Sequence, residues 1–183
     1  YETERDSGRP VESLVLMGIG EPLDNYDNVL KFLYLLSSPE GRNMSLRHVS
    51  LSTCGLVDKI NQLAELKLGL TLSLSLHAPT DEKRSAIMPI NKKYCVAEVI
   101  AACKNYFEKT GRRITVEYIL IHGFNDTTEC AKELAFLLRD IKCNVNLIPY
   151  NSVVENDYKK PSGNDIMKFK YLIEHSGKKV TVR

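Results

Sequence analysis

The chain has 183 residues, 43% of them hydrophobic and 26% charged, which fits one globular domain and excludes a disordered chain. Its 25 Lys and Arg against 23 Asp and Glu leave a net charge of +2, which excludes a histone-like basic carrier but not a local nucleic-acid patch. No apolar run approaches the roughly 18 residues that a membrane span needs, and the polar residues 1–10 show no secretory signal.

In chain order, Ser13-Leu14-Val15-Leu16-Met17-Gly18 is an apolar run that predicts a buried strand. Val29, Leu30, Phe32, Leu33 and Leu36 form a helical stripe over 28–36, stopped by Ser38-Pro39-Glu40-Gly41. His48-Val49-Ser50-Leu51-Ser52-Thr53 alternates as a strand does. Val57, Ile60, Leu63, Ala64 and Leu66 give the next helix face, ended by Gly69, and 70–76 alternates leucine with small polar residues, as a strand. Residues 77–94, with Pro79 and Pro89, look irregular. Val96, Val99, Ile100, Cys103 and Phe107 predict a helix, 113–121 a strand, and 129–138 a helix entered through a capping region at Asn125-Asp126-Thr127-Thr128. A strand at 145–149, a polar loop at 151–163, a helix at 165–175 and a strand from Lys179 complete the series.

Strand and helix thus alternate about six times without hairpins. This predicts an α/β fold with a parallel sheet and right-handed crossovers. A complete barrel takes about eight strands. The chain offers about six, begins near a strand and stops inside one, so it looks cut at both ends, with residues 1–183 as one domain and the first and last strands as open edges. Open edges invite pairing with a second copy.

Five cysteines, Cys54, Cys95, Cys103, Cys130 and Cys143, are widely spaced without a C-x-x-C. Neither a disulfide framework nor a metal site is expected, and reduced thiols point to the cytoplasm. Charge is uneven: residues 1–91 carry 12 acids and 9 bases, residues 92–183 carry 11 acids and 16 bases. Either these bases are solvated surface or the C-terminal half meets a polyanion.

In barrels and open α/β sheets, sites collect at the C-terminal ends of strands. Here those ends carry Gly18-Ile19-Gly20-Glu21-Pro22, Ser52-Thr53-Cys54-Gly55, Ser75-Leu76-His77, His122-Gly123-Phe124-Asn125 and Pro149-Tyr150-Asn151. Glycines at 18 and 20 allow close approach of a ligand to the backbone, and Glu21 is either an acceptor for it or a helix-capping acid. Ser52 and Ser75 bind a ribose or carboxylate, or cap a turn. His77 is structural or site-forming, and Asn151 reads a base or ribose edge, or makes a turn. Cys54 is a reactive thiol or a small packed residue. No nucleophile elbow, P-loop or zinc motif is present.

The stretch Val15-Leu16-Met17-Gly18-Ile19-Gly20-Glu21-Pro22-Leu23-Asp24-Asn25-Tyr26-Asp27-Asn28-Val29 resembles the RlmN/Cfr family of radical S-adenosylmethionine RNA methyltransferases. The resemblance continues through Leu51-Ser52-Thr53-Cys54-Gly55, Ser75-Leu76-His77-Ala78-Pro79, Met88-Pro89-Ile90-Asn91-Lys92-Lys93-Tyr94, Glu117-Tyr118 and Asn146-Leu147-Ile148-Pro149-Tyr150-Asn151, nearly the whole chain in order. Glu21-Pro22, where the antibiotic-resistance branch has Glu-Ala, favours the RlmN branch. The resemblance implies a partial TIM-like (β/α)6 barrel that holds S-adenosylmethionine against a 4Fe–4S cluster. By it, Gly20 and Glu21 contact the methionine amino end, Ser52 with Ser75, Leu76 and His77 the carboxylate and ribose region, and Asn151 the adenosine.

The implied reaction is methylation of C2 of an adenine in 23S rRNA, and in tRNA, through a methylated cysteine. The family's three cluster cysteines, C-x3-C-x2-C, precede its first strand here, and its methyl-carrying cysteine follows the Thr-Val-Arg strand. None of the five cysteines matches either. No catalytic residue or metal ligand is therefore expected within 1–183, and the chain alone is expected to be inactive. Lys83, Arg84, Lys92 and Lys93, in the loop after the Ser75–His77 strand end, are either RNA phosphate contacts or helix-surface charge. The alternatives are the barrel of another radical enzyme, such as a glycyl-radical activase, and a non-catalytic binding module.

Overall fold

The computed structural model describes residues 2–153 and 156–183. Tyr1 of the polar first stretch and Val154 and Glu155 of the predicted 151–163 loop lie outside the described residues. Six parallel strands, β1 (Leu14–Leu16), β2 (Val49–Thr53), β3 (Thr71–Ser75), β4 (Ile114–Leu120), β5 (Cys143–Pro149) and β6 (Lys179–Val182), lie side by side in sequence order. The sheet is unclosed, with β1 and β6 at its edges among the described residues. The parallel sheet is the one expected from the alternation, and it is consistent with the partial (β/α)6 barrel that the resemblance implies.

Among the described residues, seven α-helices accompany the strands: α1 (Glu2–Ser7), α2 (Tyr26–Ser37), α3 (Val57–Glu65), α4 (Asp81–Ile87), α5 (Val96–Thr110), α6 (Thr128–Leu138) and α7 (Gly163–His175). Two were not expected. In α1, Glu-Thr-Glu-Arg-Asp-Ser has no buried residue, so no apolar stripe announces it. In α4, the side chain that turns inward is Arg84. A stretch whose buried residue is an arginine cannot show hydrophobic periodicity. The expected cap of α6 is present, with the Thr127 hydroxyl accepting the Cys130 N–H at 3.2 Å.

Parallel strands are usually apolar on both faces. These strands instead alternate. Val49, Leu51, Leu72, Leu74, Val116, Leu120, Val145 and Leu147 face one way and join the core with Ile60, Leu63, Val99, Leu134, Phe169 and Ile173 of the helices. Each such side chain contributes about 1.5–3 kcal/mol by leaving water. The register pairs Ser52 with Ser73, Ser75 with Glu117, Glu117 with Asn146, and Asn146 with Thr181. These polar side chains occupy the opposite face, turned away from the helices. No described helix is long and apolar enough to cross a membrane.

Candidate functional site

The loop after β1 carries Gly18 at φ +137° and Gly20 at φ +99°, which other residues rarely adopt. A Cβ at either would meet nothing within 4 Å, so the chain is open towards solvent there. Val15, Gly18, Gly20 and Glu21 are among the residues lining a hollow of about 420 Å³. Glu21 is fixed from two sides: its Oε1 accepts the Leu23 N–H at 3.1 Å and its Oε2 accepts the Cys54 N–H at 2.6 Å. The capping reading is thus observed, since Glu21 caps a short 3-10 turn.

Ser52 and Ser75 meet across neighbouring strands with their hydroxyl oxygens 3.4 Å apart. Between Ser75 and His77, the Leu76 side chain is fully buried. Its N–H donates to the Glu117 carbonyl, and its own carbonyl accepts from Arg84 Nε and the Ala78 N–H. The Leu76 peptide groups are therefore held on both sides. His77 takes the left-handed conformation, φ +62°. Its Nδ1 accepts the Ile119 N–H at 3.1 Å, and Asn125 Nδ2 donates to its carbonyl at 2.7 Å. Burial, helped by the Arg84 charge, pulls its pKa down to about 4. The ring is neutral at pH 7 and, with Nδ1 accepting, carries its proton on Nε2. Asn151 is exposed just beyond β5.

Arg84 corrects an expectation. Expected on the surface as a phosphate contact, it is fully buried. Its Nε donates to the Leu76 carbonyl at 3.1 Å, Nη1 to Asn91 Oδ1 at 2.9 Å, and Nη2 to the carbonyls of Cys54 at 2.6 Å and Ser75 at 3.4 Å. It ties the ends of β2 and β3 together beneath the site. Lys83 is also engaged inside the protein, where its Nζ donates to the Phe124 carbonyl at 2.6 Å. Lys92 and Lys93 are exposed, and Lys93 Nζ stands 4.9 Å from the centre of the Tyr94 ring. Cys54 is poorly suited to nucleophilic chemistry, because burial and a hydrogen bond with Glu21 push its thiol up to about 12.

Glu117 is a buried polar residue that the sequence offered only within a resembling segment, without a role. It is 4% exposed, and its Oε2 accepts from Asn146 Nδ2 at 2.6 Å. Thr181 Oγ1 in turn donates to Asn146 Oδ1 at 2.9 Å. Glu117 Oε1 is buried without a hydrogen-bond partner among the described residues. The signal was available as polar residues recurring at every second position of four strands. His122, Asp126 and Asp165 also converge, with ligand atoms within 4.8 Å of one another. However, Asp126 already takes the Gly123 amide and Asp165 the Ser162 hydroxyl, and Lys168 lines the same hollow.

The model of the Radical SAM superfamily matches residues 7–137. The chain is 50% identical over 183 residues to a probable dual-specificity RNA methyltransferase RlmN of Lachnoclostridium phytofermentans, covering all of this chain and 51% of that protein. The chain therefore spans about half the length of the curated relatives it matches. The crystal structure of a radical SAM methyltransferase from Sphaerobacter thermophilus superposes with a TM-score of 0.96 at 42% identity, covering 100% of this chain and 53% of that one. A domain of a pyruvate-formate lyase-activating enzyme from Bacteroides vulgatus superposes with a TM-score of 0.70 at 16% identity, covering 94% of this chain and 99% of that one, which is a likeness of fold.

Proposed function

Because this chain belongs to the Radical SAM superfamily, we propose that its polar concave face holds S-adenosylmethionine. On this reading residues 1–183 form one domain, the cofactor-binding part of a cytoplasmic enzyme that methylates C2 of an adenine in 23S rRNA and in tRNA. The observation that carries it is one polar layer, Ser52, Ser75, Glu117 and Asn146, beside the open Gly18–Gly20 loop. The RNA methyltransferase reading is preferred to the activase because the relatives that match this chain at about half identity are named RNA methyltransferases.

The cofactor fits these residues. It is a cation with an ammonium, a carboxylate and ribose hydroxyls, and the face offers carboxylates, hydroxyls and an orphaned acceptor. Gly20 and Glu21 would receive the amino end. Ser52 and the Ser75-Leu76-His77 segment would take the carboxylate and ribose region, and Asn151 the adenosine. His77 Nε2–H donates and does not titrate at neutral pH, so it orients without exchanging a proton. When bound, the cofactor supplies the radical chemistry that an unactivated ring carbon requires.

A 4Fe–4S cluster does not fit the cysteines of this chain. Cys103, Cys130 and Cys143 are buried, and no three cysteines converge among the described residues. The cluster ligands and the methyl-carrying cysteine are therefore assigned to sequence outside these residues, and the chain alone is inactive. Lys92 and Lys93 remain the assigned phosphate contacts. Pairing of two copies through β1 or β6 would appear as a dimer in light scattering.

The test compares this chain with a longer protein that contains it, reconstituted anaerobically with iron and sulfide. Each is given S-adenosylmethionine and unmodified 23S rRNA, and nucleosides are read by mass spectrometry. 2-Methyladenine from the longer protein alone is expected. A cluster without methylation would point to another radical enzyme, and no cluster in either would leave a binding module.

A further inference from the structure

We propose that Glu117 is a cofactor-positioning residue whose free Oε1 accepts a hydrogen bond from an N–H or O–H of S-adenosylmethionine. The proposal rests on the reading of the concave face given above and adds a residue that none of the strand-end motifs contains.

Three observations converge on this carboxylate. The first is its orphaned oxygen: Oε1 is buried and unpartnered among the described residues, while Oε2 is taken by Asn146. Buried polar atoms in native proteins are nearly always paired, so such an oxygen asks for a donor.

The second is direction. Thr181 donates to Asn146 Oδ1, which fixes the amide so that its Nδ2 donates to Glu117. Donation runs along β6, β5 and β4 and ends at Glu117, which can only accept while ionised. The main chain beneath is held as well, since the Glu117 carbonyl accepts the N–H groups of Leu76 at 3.1 Å and His77 at 3.4 Å. The carboxylate is therefore built in a fixed place rather than left to find one.

The third is position and charge. Glu117 is the register partner of Ser75 on β3 and Asn146 on β5, in the layer where Ser75 meets Ser52. Its polar neighbours Ser75, Asn146 and Thr181 are neutral, and His77 above it is neutral at pH 7. Arg183, which follows β6, is the charged group that acts on it. Burial raises the Glu117 pKa more strongly than Asn146 and Arg183 lower it. A cationic ligand with ammonium and hydroxyl donors satisfies both the open acceptor and the desolvated charge.

The test follows the side-chain carboxyl of Glu117 by 13C NMR through a pH titration of the whole chain, without and with saturating S-adenosylmethionine. A donor on Oε1 favours the ionised form, so the midpoint is expected to fall by about one pH unit or more on binding. Calorimetric titration of E117Q, with its melting temperature as a check on folding, is expected to show about ten-fold weaker binding. A carboxyl that serves the fold alone would not change its midpoint with ligand. Binding with an unmoved midpoint, or E117Q binding as tightly as the unsubstituted chain, overturns the role of Glu117 and leaves the cofactor site standing. Failure of the unsubstituted chain to bind at millimolar concentration overturns both. The midpoint is measured on the unsubstituted protein, so it decides the question even if E117Q does not fold.

Discussion

Glu21 Oε2 accepts the Cys54 N–H at 2.6 Å, which locks the loop after β1 onto the end of β2. The other oxygen caps the turn that leads into α2. One side chain thus joins a local cap to a contact across the site. A glutamine offers one oxygen in place of two, so Glu21→Gln leaves one of the two N–H groups unpaired. It should lower stability by about 1–2 kcal/mol, read as the urea midpoint, and weaken S-adenosylmethionine binding as well. Loss of stability with unchanged binding would restrict Glu21 to the fold.

Arg84 holds four acceptors at the ends of β2 and β3 and in the turn after α4 without exposing any part of itself. Lysine cannot span them, because its ammonium is a single point on a flexible stem. Arg84→Lys should therefore cost about 3 kcal/mol or more, since buried carbonyls lose their donors. The loss should persist in high salt, unlike that of a surface ion pair. A shift within experimental error would contradict the buried role.

His77 makes stability depend on pH. Its folded pKa of about 4 lies below the usual 6.5, so between these values the unfolded chain binds a proton that the folded chain does not. Stability is then full above pH 6.5 and falls as the pH drops towards 4, by about 1.4 kcal/mol per pH unit at most. His77→Gln should flatten that part of the profile in urea titrations at pH 4 to 7. An unchanged slope would place the acid sensitivity elsewhere.

Lys92 and Lys93 are the exposed pair among the four basic residues expected at phosphates. The double charge reversal K92E/K93E, in a protein that binds the RNA, should weaken binding and reduce the magnitude of the log K against log salt slope by about 2. Unchanged binding would remove these lysines from the interface.

The six-strand alternation was legible because each strand carries an apolar row and each long helix an apolar stripe; Leu72 and Leu74 on β3 and Ile60 and Leu63 on α3 are examples. The candidate site was proposed at strand ends, where glycines, serines and a histidine interrupt those rows. What escaped was α4, whose inward residue is a charged Arg84, and Glu117, hidden in a β-branched run. Only the register shows that Glu117 shares a layer with Ser75, Asn146 and Thr181. A single sequence ranks residues by their neighbours in the chain, and that layer is built from residues on four strands.

The most direct measurement is a titration of the 15N-labelled chain with S-adenosylmethionine, following backbone amide shifts. If the cofactor lies at the strand ends, shifts concentrate at Gly20, Glu21, Ser52, Ser75, His77, Glu117 and Asn151. Amides at the opposite ends of the strands, such as Arg113, Asn144 and Lys179, should stay in place. Shifts confined to those opposite ends, or none at saturating cofactor, would contradict that placement.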